Sequence, residues 1–264
     1  MKDVFTMWKH SKMVILTAVV AAIYAALLIP LKGIALPGGV EARIVTVLVP
    51  AIGILFGPAG AWGCAIGNLI GDFFGNMTAA SILGMVGNFF YAYMSYKVWY
   101  MMKDATLNLK TNSKLKIPNF ILGMLLSDVA VATWVAWGAG AVFGNAPYSL
   151  LFGIIFLADL FLPLVLGLPL IILISKRIEK WDLTFYRIMK PEDVRTSTKT
   201  NLLGLILAIV GLGGSVGIGY YFSLVKGVST GWGIALPMLP FLLLGIVGCC
   251  LIGMHKEVFE TDED

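Results

Sequence analysis

The sequence predicts an all-α polytopic membrane protein, and three observations carry that prediction. Of 264 residues, 59% are hydrophobic and 13% charged, with a mean hydropathy of +0.89. That leaves too little polar surface for a water-facing domain and too much apolar character for a disordered chain. The apolar residues gather in eight blocks, most of them close to the roughly 20 residues that a helix needs to cross a bilayer. The 19 Lys and Arg residues fall almost wholly between alternate blocks.

The first block, 12–31, is an uninterrupted apolar run that ends before the Gly/Pro-rich segment KGIALPGGVEA. The second, 43–57, is short and stops at Gly57-Pro58; with the third, 59–76, it forms a hairpin that could tilt or partly re-enter. The fourth, 79–102, is bounded by the polar stretch KDATLNLKTNSKLK, after which the fifth, 118–143, and sixth, 148–175, are joined by a turn at Phe143-Gly144. A 26-residue basic stretch, 176–201, precedes the seventh block, 202–223, and the turn VKGVSTG leads into the eighth, 232–254. The first block lacks a convincing small-residue cleavage site and is read as a retained helix. Four segments are expected: a six-helix membrane domain over 1–178, a basic cytoplasmic loop over 179–201, a two-helix extension over 202–254, and an acidic, solvated tail over 255–264.

With the N-terminus inside, 16 cations lie in cytoplasmic segments and three, Lys32, Arg43 and Lys226, outside. Cytoplasmic loops retain Lys and Arg, so both termini are expected in the cytoplasm of a prokaryotic cell, with the chain in the cell membrane. Cys64, Cys249 and Cys250 lie in apolar blocks without CxxC spacing, so no disulfide scaffold is expected. The only histidines, His10 and His255, sit at opposite ends of the chain. No histidine metal site or triad can form within the spans, and neither a cofactor nor a nucleic-acid partner is expected.

Charged groups inside a bilayer are costly and need a protein or water partner. Arg43 and Asp72 are equidistant from Gly57-Pro58, which predicts a structural ion pair across the second and third helices; the alternative is contact of either residue with a ligand from outside. Asp128 and Asp159 are likewise equidistant from Phe143-Gly144, roughly 22 Å from the turn at 1.5 Å per residue. If they face each other, they can share a proton or bind a cation or amine. If they do not, each is protonated or hydrogen-bonded to Ser, Thr or Asn. Asn88 and Tyr91 of the fourth helix, Trp134 and Trp137 of the fifth, and Asn145 and Tyr148 at the following turn are available to complete a pocket. GILFGPAG (53–60) and GAVFGNAP (140–147) share four of eight positions, and an Asp follows each Phe-Gly by the same interval. An inverted repeat and coincidence both remain open. In the first helix Ala18, Ala22 and Ala26 form a smooth ridge suited to close helix approach.

The block GGVEARIVTVLVPAIGILFGPAGAWGCAIGNLIGD (38–72), the alanine-spaced first helix, the Gly/Pro-rich first loop and the six blocks within 1–178 resemble S components, the substrate-binding subunits of energy-coupling factor (ECF) transporters. The resemblance implies a bundle that captures a vitamin or related micronutrient from outside. It implies that Ala18, Ala22 and Ala26 dock the transmembrane coupling subunit, that an ATPase pair supplies energy, and that residues 32–42 act as a lid. The absence of a GxxxxGK[ST] phosphate loop agrees with ATP hydrolysis by partners. The last two helices and the aspartate pair lie outside the family pattern. Candidate ligand contacts are Arg43, Asn88, Asp128, Trp134, Trp137, Asn145, Tyr148 and Asp159. The competing reading is a stand-alone secondary transporter that couples protons or cations through Asp128 and Asp159. An enzyme is disfavoured because the spans hold no histidine, DxxD motif or nucleophile–base set.

Overall fold

A computed structural model describes residues 1–31, 35–36, 40–41, 44–75, 77–102, 107, 113–196 and 199–259. Its helices are α1 (Lys2–Thr6), α2 (Ser11–Leu31), α3 (Leu48–Phe56), α4 (Pro58–Phe73), α5 (Ala79–Tyr100), α6 (Ser113–Val135), α7 (Tyr148–Lys180), α8 (Phe185–Ile188), α9 (Lys199–Tyr220) and α10 (Trp232–Leu251). A two-residue antiparallel ladder, β1 (Ala35–Leu36) with β2 (Val40–Glu41), lies between α2 and α3. Each of the eight apolar blocks is thus helical over most of its length, and five of the helices are long and apolar enough to cross a membrane. The apolar helix Ile44–Phe56 is shorter, and α4 has 16 residues. At 22 residues α5 is long enough, but its sequence carries Asn88, Ser95, Lys97 and five tyrosine or tryptophan residues. These side chains are buried in protein, because α5 runs through the middle of the bundle against α3, α4 and α6.

Small residues set these packings. Gly63, Gly67 and Gly71 recur at spacing four along α4, and any Cβ added there would strike Val20, Tyr24 or Leu28 of α2. Gly57 adopts φ 55° between α3 and α4, a left-handed conformation that Gly provides without steric cost, and Pro58 opens α4. Gly144, at the equivalent place in GAVFGNAP, has φ 70°. There α6 continues as a π-helical stretch, Ala136–Val142, before the turn into α7.

Helices α9 and α10 pair through Gly204, Gly211, Gly245 and Gly248, where their backbones touch, and lie against α6 and α7. Their connection is tied to that of α6 and α7: Gly231 N–H donates to the Ala141 carbonyl at 2.7 Å and Tyr148 N–H to the Ser229 carbonyl at 3.0 Å.

The end of the bundle beneath α5 is closed by α1, by part of the basic loop and by the segment that follows α10. From α1, Asp3 reaches into the bundle and pairs with Lys97 of α5 at 2.8 Å, both side chains fully buried. The Tyr96 hydroxyl donates to Asp3 at 2.7 Å, and Trp62 Nε1 donates to the Val4 carbonyl at 3.0 Å. Phe185, in the middle of the basic loop, is wholly buried against Tyr96 and Tyr100. The tail is not wholly solvated either: His255 N–H donates to the Tyr100 carbonyl at 2.8 Å and Val258 is buried. The rest of the acidic run, 260–264, lies outside the described residues.

One of these straps carries a pH signature. His10 Nε2 lies 2.8 Å from Asp193, whose carboxylate also accepts the Lys190 N–H at 3.3 Å. Burial pushes the Asp193 carboxyl up, but the His10 hydrogen bond, the Lys190 amide and nearby positive charge outweigh it and hold it below the usual carboxylate range. A depressed carboxylate pKa stabilises the fold above the unfolded value near pH 4 and loses that contribution as pH falls through the lowered folded value. Protection of the amides of residues 1–10, taken relative to their intrinsic exchange rates at each pH, should therefore fall below about pH 4, and Asp193→Asn should remove that loss.

Candidate functional site

The polar groups that a bilayer protein must explain converge in the interior of α2, α4, α5, α6 and α7. Antiparallel α5 and α6 approach closely because Gly87 faces Val131 and Val135, and because Ser95 and Ser127 hydroxyls meet at 3.1 Å. That contact places Asp128, the residue after Ser127, in the core with no exposed surface, and neither carboxyl oxygen has a hydrogen-bond partner. Leaving such a group dry and unpaired costs several kcal/mol, so its retention calls for a ligand or a proton.

Around it, the Tyr91 hydroxyl donates to the Asp159 carbonyl at 2.6 Å. Asp128 and Asp159 are near enough to act on each other electrostatically, and both act on Tyr91. Tyr24 of α2 donates to Asn88 Oδ1 at 3.0 Å, while Asn88 Nδ2 donates to the Gly84 carbonyl at 2.9 Å. A Cβ on Gly84 would lie 3.0 Å from Asn68 Nδ2, which in turn donates to Asp72 at 3.3 Å. The polar set therefore holds two tyrosines, two amides and three carboxyls, with no Lys or Arg among its described members. Such a set accepts more hydrogen bonds than it donates, which suits a ligand rich in N–H donors.

The expected site residues separate into groups. Asn88, Asp128 and Asp159 come together. Trp134 sits nearby, half-buried, with its indole N–H on the Leu83 carbonyl at 3.0 Å. Trp137 turns toward the C-terminal hairpin and donates to the Ala235 carbonyl at 3.0 Å. Tyr148 also faces that hairpin, its ring 6.2 Å from Tyr220, and Asn145 is exposed at the turn. Arg43 is outside the described residues, and so is the expected Arg43–Asp72 pair; Asp72 itself is buried beside Asn68.

Tyr24 and Asn68 were not singled out by sequence reasoning. Tyr24 shares the inward face of α2 with Ala21, Ala25 and Leu28, and Asn68 lies one helical turn before Asp72, a spacing that aligns them on one face. On α2 the ridge Ala18, Ala22 and Ala26 is exposed, flanked by exposed Val19, Ile23 and Leu27.

No curated protein and no solved structure gives a significant match to the chain. A family model described as QueT transporter matches residues 14–176, which span α2 to α7. That match takes in the whole polar set and leaves α9 and α10 outside it. The chain therefore belongs to the QueT transporter family, an ECF S-component family for queuosine precursor, and is a transporter protein rather than an enzyme.

Proposed function

We propose that the chain is the substrate-capturing subunit of a queuosine-precursor importer. It takes the solute from outside at the polar set of α2, α5, α6 and α7, and depends on a transmembrane coupling subunit and a pair of ATPases for energy. The observation that carries this reading is the dry, unpaired Asp128 beside Asn88, Tyr91 and Asp159, inside the part of the chain that matches the family. A queuosine precursor is a guanine-like pyrrolopyrimidine, a flat base with several N–H donors, and this set is rich in acceptors. Trp134 lines the site. Trp137 and Tyr148 stand toward the C-terminal hairpin, and Asn145 lies at the exposed turn before α7.

In this reading α2 to α7 form the six-helix S-component domain, α9 and α10 add a side wall, and all eight helical stretches lie in the cell membrane. The distribution of 16 cations against three supports cytoplasmic termini. The exposed ridge Ala18, Ala22 and Ala26 is the docking strip for the coupling subunit, since small side chains let a partner helix approach closely. Calorimetric titration of the purified chain tests the site. 7-Deazaguanine should bind saturably, and Tyr91→Phe and Asn88→Ala should each weaken it by about fivefold to a hundredfold, the usual effect of losing one buried hydrogen bond. Unchanged affinity in both variants would move the site elsewhere. The second reading, proton- or cation-coupled transport by the chain alone, draws on the electrostatic contact of Asp128 and Asp159.

A further inference from the structure

We propose that Asp128 is the specificity-determining residue of this site, its two carboxylate oxygens accepting the paired N–H donors, N1–H and the 2-amino group, on the guanine-type edge of the base. The inference rests on the queuosine-precursor reading and goes beyond it by assigning one side chain to one edge of the ligand.

The neighbours of Asp128 are each already held by a hydrogen bond within the protein, which leaves only part of their capacity for a ligand. Asn88 accepts from Tyr24 and donates to the Gly84 carbonyl, Tyr91 donates to the Asp159 carbonyl, and Asn68 donates to Asp72. Ser95 donates to the Tyr91 carbonyl at 2.8 Å, and Ser127 donates to the Gly123 carbonyl. Asp128 differs: it is fully buried and both of its oxygens are uncommitted. A carboxylate presents two parallel acceptors in one plane, the arrangement that a guanidinium fork satisfies with two N–H bonds. The N1–H and 2-amino groups of a guanine-type base form a similar fork, so one ligand edge can satisfy both oxygens at once. A base without the 2-amino group leaves one oxygen dry, and a base with a 2-oxo group sets acceptor against acceptor.

The same logic predicts a switch. Asparagine has the shape of aspartate but presents one acceptor and one donor, which matches N1–H beside a 2-oxo group. Asp128→Asn should therefore prefer a 2-oxo base.

The test is equilibrium binding of 7-deazaguanine, 7-deazahypoxanthine (no 2-amino group) and 7-deazaxanthine (2-oxo) to the purified wild type, Asp128→Asn and, as a control outside the site, Asp193→Asn. The wild type should favour 7-deazaguanine over each of the other two by about tenfold or more. Asp128→Asn should bind 7-deazaxanthine better than 7-deazaguanine, and Asp193→Asn, outside the site, should keep the wild-type order. Reversal is a gain of binding that misfolding cannot imitate, and if Asp128→Asn does not fold, the wild-type ranking decides. Equal affinity of the wild type for 7-deazaguanine and 7-deazahypoxanthine, or an unchanged order in Asp128→Asn, overturns the assignment while leaving the precursor reading standing. Binding of none of the three bases by the wild type overturns both.

Discussion

Lys97→Met should destabilise the protein by roughly 3–5 kcal/mol, the usual cost of removing one partner from a buried ion pair. Lys97 and Asp3 meet at 2.8 Å with no exposed side-chain surface, and the ammonium also lies over the Tyr93 and Tyr96 rings at 5.3 and 5.4 Å. Burial pushes the Asp3 carboxyl up, but the Lys97 charge and hydrogen bond, with Tyr96, outweigh it and keep the group below its ordinary range. Without Lys97, Asp3 must either stay ionised in a dry site or take up a proton, and α1 loses its anchor under the bundle. Asp3→Leu combined with Lys97→Met removes both charges and should recover most of the loss, because a well-packed apolar pair costs no desolvation of ions. Unfolding in detergent micelles across the double-mutant cycle measures this. A near-additive cycle would show that the two residues do not act as a pair.

Ala22→Leu, alone and with Ala18→Leu and Ala26→Leu, should abolish co-purification with the coupling subunit while leaving binding of 7-deazaguanine within about twofold of wild type. All three alanines are exposed, and their partners on the helix, Ala21, Tyr24, Ala25 and Leu28, are the ones buried against the rest of the bundle. A leucine on the exposed ridge therefore perturbs the fold little. It holds a partner helix away, and each overpacked position costs typically about 1–3 kcal/mol, so the triple change should weaken assembly by more than about a hundredfold. Loss of ligand binding in step with loss of assembly would mean that the ridge has a structural role inside the subunit. Intact assembly in the triple variant would place the coupling surface elsewhere.

Much of the architecture follows from local signals. Continuous apolar runs and Gly-Pro punctuation give the helical stretches to within a few residues, since a chain in lipid must satisfy its own backbone and a helix does so locally. The burial of Asp128 agrees with its distance, counted along α6, from the turn at Phe143-Gly144. What could not be read depends on partners distant in the chain. Lys97 looks like a loop-flanking cation until Asp3, from the opposite end of the sequence, is brought beneath it. Trp137 and Tyr148 belong by composition to any aromatic pocket, yet their neighbours are Ala235 and Tyr220 of the C-terminal hairpin. Phe185 and Val258 sit in polar surroundings in the sequence and pack into the bundle end because α3 to α5 leave an apolar floor there, including Gly57, where a Cβ would meet the Phe185 ring at 2.6 Å. Tyr24 joins the site because α2 is drawn against the glycine ridge of α4, a packing that no single-helix pattern on α2 reveals.

Uptake of labelled 7-deazaguanine into proteoliposomes, with and without the coupling subunit and ATPase pair, tests the central claim most directly. The account predicts binding by the chain alone, no accumulation by it under any ion gradient, and ATP-dependent accumulation once the partners are present. Accumulation by the chain alone, driven by a pH gradient and lost in Asp128→Asn, would contradict it and establish an independent secondary transporter.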